Sequence, residues 1–199
     1  MADIDAKLVK ELRSRTSAGI MDCKEALEES GGDLEKAVDF LRQKGLATAL
    51  KRAGRETSEG VISSYIHAGD KLGVLVEVNC ETDFVGKTEE FKAFAKDIAM
   101  HVAAMKPLGI DREDINEEIL KREEEIYRQQ AQDTGKPENI LDKIIKGKME
   151  KFYKEVCLME QVFVKNSDIT IKDLVHEMVS KTGENISIRR FTRYQLGGE

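Results

Sequence analysis

The chain has 199 residues, enough for one ordinary domain or two small ones. Hydrophobic residues make up 40% and charged residues 35% of it, a balance that excludes a disordered chain. The net charge of −6 argues against broad, non-specific binding to nucleic acid or anionic membrane, both of which need a basic face.

Apolar spacing predicts three short helices in the first stretch, followed by a basic helical tail. The first helix carries Ile4, Leu8 and Leu12 on one face, and Thr16-Ser17-Ala18-Gly19 ends it. The second covers roughly residues 22–29 with Ala26 and Leu27 inward. Ser30-Gly31-Gly32 breaks the chain, and Asp33 is a good N-cap for the third. That helix has Leu34, Ala37, Val38 and Leu41 at i, i+3, i+4 and i+7, with Gly45 expected just past its end. Residues 46–55 are basic and glycine-punctuated (Lys51, Arg52, Gly54, Arg55) and read as a helical linker. The expected division is a helical docking unit over 1–54 and a larger α+β core over 55–199. A three-helix unit of that size has little core and suits binding better than catalysis.

Residues 60–66 and 72–78 alternate as strands around His67-Ala68-Gly69-Asp70-Lys71, a hairpin signal. Next comes Asn79-Cys80-Glu81-Thr82-Asp83-Phe84-Val85-Gly86-Lys87-Thr88. Its end, Gly86-Lys87-Thr88, matches the end of a phosphate-binding loop. That pattern needs Gly at position 81, where Glu81 stands, and Glu81 and Asp83 put carboxylates where a phosphate would meet backbone N–H groups. An acidic residue beside a large aromatic on a turn suits a wedge pushed into another protein. The alternative is that Phe84 folds back as a staple and Asp83 merely caps a turn; spacing alone does not separate the two.

A helix starting near Thr88 places Phe91, Phe94, Ala95, Ile98, Ala99 and Val102 on one wide face, and Pro107 ends it. Residues about 111–155 read as a protruding antiparallel helical hairpin. Ile115, Ile119 and Ile126 lead in, and Ile140, Leu141, Ile144, Ile145, Met149 and Phe152 lead back. Asp133-Thr134-Gly135-Lys136-Pro137 is the turn between them. Thr170-Ile171-Lys172-Asp173 has the form of a capping box opening a last helix, with Ile171, Leu174, Val175 and Met178 inward. Residues 185–191 read as a closing strand.

No catalytic, cofactor or metal set emerges. His67 lies in a turn. His101 sits beside the apolar face, nearly over Phe94, and reads as a hydrogen-bonded boundary histidine. His176-Glu177 begins a zincin motif, but Ser180 occupies the second histidine position. Cys23, Cys80 and Cys157 are far apart, with no C-x-x-C pair, which fits a reducing compartment. With no apolar signal core and no run approaching ~18 apolar residues, a cytoplasmic protein without a membrane span is expected. Arg189-Arg190-Phe191-Thr192-Arg193-Tyr194 mixes basic and aromatic residues as RNA-binding sheets do. In an acidic chain the better reading is one solvated and one packed face. The acidic residues of 111–125 read as a solvated helix face.

Two long segments resemble the translation elongation factor Ts family. One is Leu12-Arg13-Ser14-Arg15-Thr16-Ser17-Ala18-Gly19-Ile20-Met21-Asp22-Cys23-Lys24-Glu25-Ala26-Leu27, supported by Gly32-Asp33-Leu34-Glu35-Lys36-Ala37; the other is Asn79-Cys80-Glu81-Thr82-Asp83-Phe84-Val85. The resemblance implies a guanine nucleotide exchange factor for elongation factor Tu, binding its GDP-bound and nucleotide-free forms, and not an enzyme. It implies a ubiquitin-associated-like N-terminal domain and an α+β core with a helical hairpin. It implies that Thr82, Asp83, Phe84 and Val85 act near the partner's magnesium site, and that Arg13, Ile20, Met21 and Lys24 contact its nucleotide domain. Ile20 stands where the family more often has Met. Longer members carry a duplicated core module and this chain has room for one, so a homodimer is expected. Other readings are a P-loop nucleotide hydrolase using Gly86, Lys87 and Thr88, and an adaptor for a ubiquitin-like partner built on residues 1–54.

Overall fold

The computed structural model describes residues 4–16, 18–133 and 137–198, with Asn139 described by its backbone only. In chain order the elements are α1 (Ala6–Thr16), α2 (Ile20–Glu29), α3 (Leu34–Arg52), β1 (Glu59–Ile66), β2 (Leu72–Cys80), α4 (Asp83–Gly86), α5 (Glu89–Met105), α6 (Glu117–Gln132), α7 (Glu138–Val156), α8 (Ile171–Thr182) and β3 (Ile186–Gln195). The class is α+β, as the alternation of periods predicts. The strands form one antiparallel sheet of order β1-β2-β3. His67 N–H donates to Leu72 O at 2.8 Å to close the hairpin, and Leu196 N–H donates to Lys71 O at 2.8 Å beside it. Val74, Val76 and Val78 are buried on one face of β2 while Leu75 between them is exposed. The chain divides into two compact units: Met1–Val61 with Val78–Phe94 and Asp173–Ser187, and Ile62–Glu77 with Ala95–Lys172 and Ile188–Glu199.

In the first unit, α1, α2 and α3 enclose Leu12, Cys23, Ala26, Leu27 and Ala37, with Leu8, Leu34, Val38 and Leu41 packed around them. Asp33 caps α3 by accepting from Glu35 N–H and Lys36 N–H, both at 3.1 Å. The Lys44 ammonium ties α3 to α2 by donating to Asp22 at 2.8 Å and Glu25 at 2.6 Å. The third helix does not end at Gly45. It runs on to Arg52, so helix and basic tail are one element. Gly45 is buried inside it, and a Cβ there would lie 3.5 Å from Cβ of Ser180 in α8. That is ordinary van der Waals contact, so Gly45 is neither a helix stop nor a site that only glycine could fill.

In the second unit, α6 and α7 pack around Ile115, Phe152 and Cys157, with Tyr127, Met149 and Tyr153 against them. Ile119 and Ile140, expected inward, are exposed. The predicted turn between these helices lies partly outside the described residues, at 134–136. Arg112 anchors the start of α6: its guanidinium reaches both carboxylate oxygens of Glu150, bonds Glu160 at 2.8 Å and lies 4.4 Å over the Tyr153 ring. His101 is fully buried rather than at a boundary. Val164 N–H donates to its Nδ1 at 3.2 Å, so Nε2 carries the proton and bonds Gln161 Oε1 at 3.0 Å. Burial holds its pKa below the ordinary histidine value.

The basic-aromatic segment of β3 is engaged within this unit. Arg189 and Arg190 both face Glu77, at 3.5 and 2.6 Å, so strand alternation slips by one step there. Arg193 donates to Ala103 O at 3.3 Å. No helix among the described residues is long and apolar enough to cross a membrane.

Candidate functional site

The segment after β2 folds as one helical turn, α4, where the sequence suggested an open loop. Gly86, Lys87 and Thr88 donate their N–H groups to Thr82 O, Asp83 O and Val85 O at 3.3, 3.1 and 3.0 Å. Those donors are the ones a phosphate-binding loop would offer its ligand, and they are already satisfied. The Lys87 ammonium pairs with Asp83, and the Thr88 hydroxyl accepts from Phe91 N–H at 3.2 Å, capping α5. Gly86-Lys87-Thr88 is therefore a helix-to-helix junction, which removes the P-loop reading. Among the described residues no group of three or more His, Cys, Asp and Glu side chains is placed to hold a metal ion.

Two close approaches seat the base of the turn. Gly60 has φ +145°, and a Cβ there would come within 2.2 Å of Val78 O, so only glycine fits. Gly86 is buried, with its Cβ position 3.4 Å from Gly60 O and 3.5 Å from Cys80 Sγ. Cys80 in turn contacts Thr82 O at 3.1 Å, and burial pushes its thiol pKa up. At the tip the situation reverses. Phe84 is 80% exposed, so it is not a staple on α5. Asp83 is exposed enough to be solvated, and its hydrogen bond to Lys87 holds its pKa below the ordinary carboxylate range.

The stem of the turn is held by partners that no spacing rule singled out. The Glu184 carboxylate accepts from Glu81 N–H at 3.1 Å, Thr82 N–H at 3.0 Å and the Thr82 hydroxyl at 2.6 Å. The Glu81 carboxylate accepts from Asn185 N–H at 2.6 Å and pairs with Arg55 at 3.3 Å, and these contacts hold its pKa down. Asn185 also donates to Arg55 O at 2.8 Å. Residues roughly a hundred positions apart meet here, so only the folded chain reveals them. Of the four predicted loop residues, Phe84 is exposed at the tip, Asp83 and Val85 are half-buried on either side of it, and Thr82 belongs to the stem.

The predicted N-terminal contact residues share the surface of the helical cluster. Met21 is 75% and Ile20 56% exposed, although both stand at the start of a helix whose other face is core. Arg13 on α1 and Lys24 on α2 are exposed as well, with Lys24 3.8 Å from Glu28. Ile20 and Met21, neighbours in the chain, make a small exposed apolar patch at the start of α2.

The family model described as Elongation factor TS matches residues 7–198 of this chain. A protein named Elongation factor Ts from Desulfotalea psychrophila is 62% identical over 194 residues, covering 98% of each chain. Those of Desulfosudis oleivorans and Carboxydothermus hydrogenoformans are 61% and 60% identical. The first of these alignments covers 99% of this chain and all of the relative, and the second covers 98% and 89%.

Proposed function

The chain belongs to the elongation factor Ts family, and from that membership we propose how it acts: as a guanine nucleotide exchange factor for elongation factor Tu, it speeds GDP release by pressing the Asp83-Phe84 tip against the partner's magnesium and phosphate site. The observation that carries this reading is the exposure of Phe84, 80% free on a turn whose base and stem are fixed. Burying such a ring at an interface yields about 1.5–3 kcal/mol, available only in the complex. Exchange needs no bond chemistry in this chain. If the factor weakens GDP binding, GDP weakens the factor's binding by the same ratio. Magnesium requires near-octahedral oxygen geometry, so a small displacement of its ligands is costly. Phe84 supplies the apolar wedge, Asp83 competes for groups that orient the phosphates, Val85 adds contact beside them, and Thr82 holds the stem.

In the same reading, residues 1–54 form a docking domain of ubiquitin-associated type that meets the nucleotide domain of elongation factor Tu through Arg13, Ile20, Met21 and Lys24. Residues 55–199 form the core that carries the tip. The self-contained buried cluster of α1–α3 supports that division. The core pairs with a second copy. The exposed Ile62, Ile66, Leu75 and Tyr194 on the sheet, and its two edge strands, support a homodimer. The protein works in the cytoplasm beside its partner, with no cofactor, metal or nucleic-acid contact of its own. The test is release of fluorescent GDP from elongation factor Tu. The chain should raise the release rate in a concentration-dependent, saturable way and should bind no GTP by itself in equilibrium dialysis. Unchanged release at saturating factor would refute it.

A further inference from the structure

We propose that Glu184 is a positioning residue for exchange: it fixes the stem of the 82–86 turn so that Phe84 meets the partner at a set angle. This rests on the reading that the Phe84 turn drives GDP release. Thr82 stands at the N-cap of α4, yet its side chain makes no capping bond to that helix. Its hydroxyl goes to Glu184 instead, at 2.6 Å. The two backbone N–H groups preceding Asp83, those of Glu81 and Thr82, go to the other carboxylate oxygen. A single carboxylate thus takes three donors from the two residues before Asp83. Bonds to an ionised acceptor are roughly twice as strong as neutral ones.

Glu184 is itself placed by the end of α8. Gly183 adopts φ +70° just past that helix and its N–H closes on Val179 O at 2.8 Å. The next N–H, of Glu184, donates to the Thr182 hydroxyl at 3.3 Å. Asn185 then returns the grip by donating to the Glu81 carboxylate. The two segments hold each other reciprocally, each offering a carboxylate to the other's backbone. A four-residue helix has too few internal bonds to keep its own orientation. The clasp removes the freedom that binding would otherwise have to freeze, which is how preorganisation strengthens association.

The experiment is a double-mutant cycle on the full chain, read by stopped-flow GDP release from elongation factor Tu at saturating factor. Glu184→Ala should slow release roughly tenfold when Phe84 is present, because small misplacements of a working group are that costly. In the Phe84→Ala background the same change should alter release by less than about twofold, since there is no ring left to position. Glu184→Gln keeps an oxygen for the two N–H groups and should recover most of the rate, leaving about a threefold loss. Equal slowing by Glu184→Ala in both backgrounds, or no slowing in either, overturns the proposal. Should Glu184→Ala fail to fold by circular dichroism, the cycle is read on Glu184→Gln with the same criterion. If Phe84→Ala alone leaves release unchanged, it is the wedge reading that fails, a result distinct from a normal Glu184→Ala beside a slow Phe84→Ala.

Discussion

The N-terminal patch and the 82–86 turn both offer exposed apolar side chains, yet they are supported in opposite ways. Ile20 and Met21 ride on α2, a ten-residue helix locked by its own neighbours: Cys23, Ala26 and Leu27 fill the small cluster beneath it. Phe84 rides on a four-residue helix that holds little of itself and depends on Glu184, Gly60 and Cys80 for its orientation. A patch supported by a local core can be lost by damaging that core. A tip supported by a clasp can be stripped of its ring with almost no effect on folding. This fits a division of labour in which the first region supplies affinity and the second supplies the rate of release.

The largest expected effect tests the first half of that contrast. Leu27 is fully buried in a small cluster with Leu12, Cys23, Ala26 and Ala37 among the described residues. Leu27→Ala should cost about 3–4 kcal/mol in chemical denaturation, with the α1–α3 signal melting first. A loss below about 1 kcal/mol would mean that the helices do not rely on that core. Phe84→Ala tests the other half. Its free protein should unfold within about 0.5 kcal/mol of the parent, while stimulated GDP release slows tenfold or more, as for an aromatic anchor. A much lower melting point with normal release would reduce the turn to ordinary structure.

What the sequence makes legible follows the range of the interactions. α5 was legible because Phe91, Phe94, Ile98 and Val102 are local neighbours on one helical face, and all are buried. The length of α3 is not legible at Gly45, because a glycine within a helical pattern does not by itself end the helix, and α3 continues to Arg52. His101 looked like a boundary residue because period marks a face but not how deeply it is covered; Gln161 and Val164 complete its burial. At the site, Asp83 and Phe84 stood out by type, whereas Phe84 inward and Phe84 outward fit the spacing equally. Glu184 carried no signal, because three bonds to distant backbone and hydroxyl groups leave no pattern in the chain order.

A smaller effect sharpens the division between affinity and rate. Met21→Ala removes an exposed side chain from α2, so the free protein should melt unchanged. If the patch docks the partner, the factor concentration giving half-maximal exchange should rise by about three- to tenfold, roughly 1 kcal/mol, with the maximal rate kept. A fall in maximal rate at unchanged half-saturation would move Met21 to the same role as Phe84 and dissolve the contrast.

The smallest effect concerns acid. Glu81 has its pKa lowered, first by the Asn185 N–H bond and then by Arg55 and Arg52. A carboxylate depressed in the folded state contributes stability that is fully present above its unfolded value of about 4.3 and is lost as pH falls through the lower folded value. The clasp should therefore loosen only below about pH 4. Glu81→Gln should make the stability profile flatter in that acidic range and leave it parallel to the parent between about pH 5 and 8. The α1–α3 cluster, monitored separately, should show no change on this substitution, because Glu81 grips the chain at Arg52 and beyond, past the cluster's buried residues. If the helical signal follows the Glu81 titration, the two regions share one support, and the division between a self-supported patch and a clasped tip fails at its base.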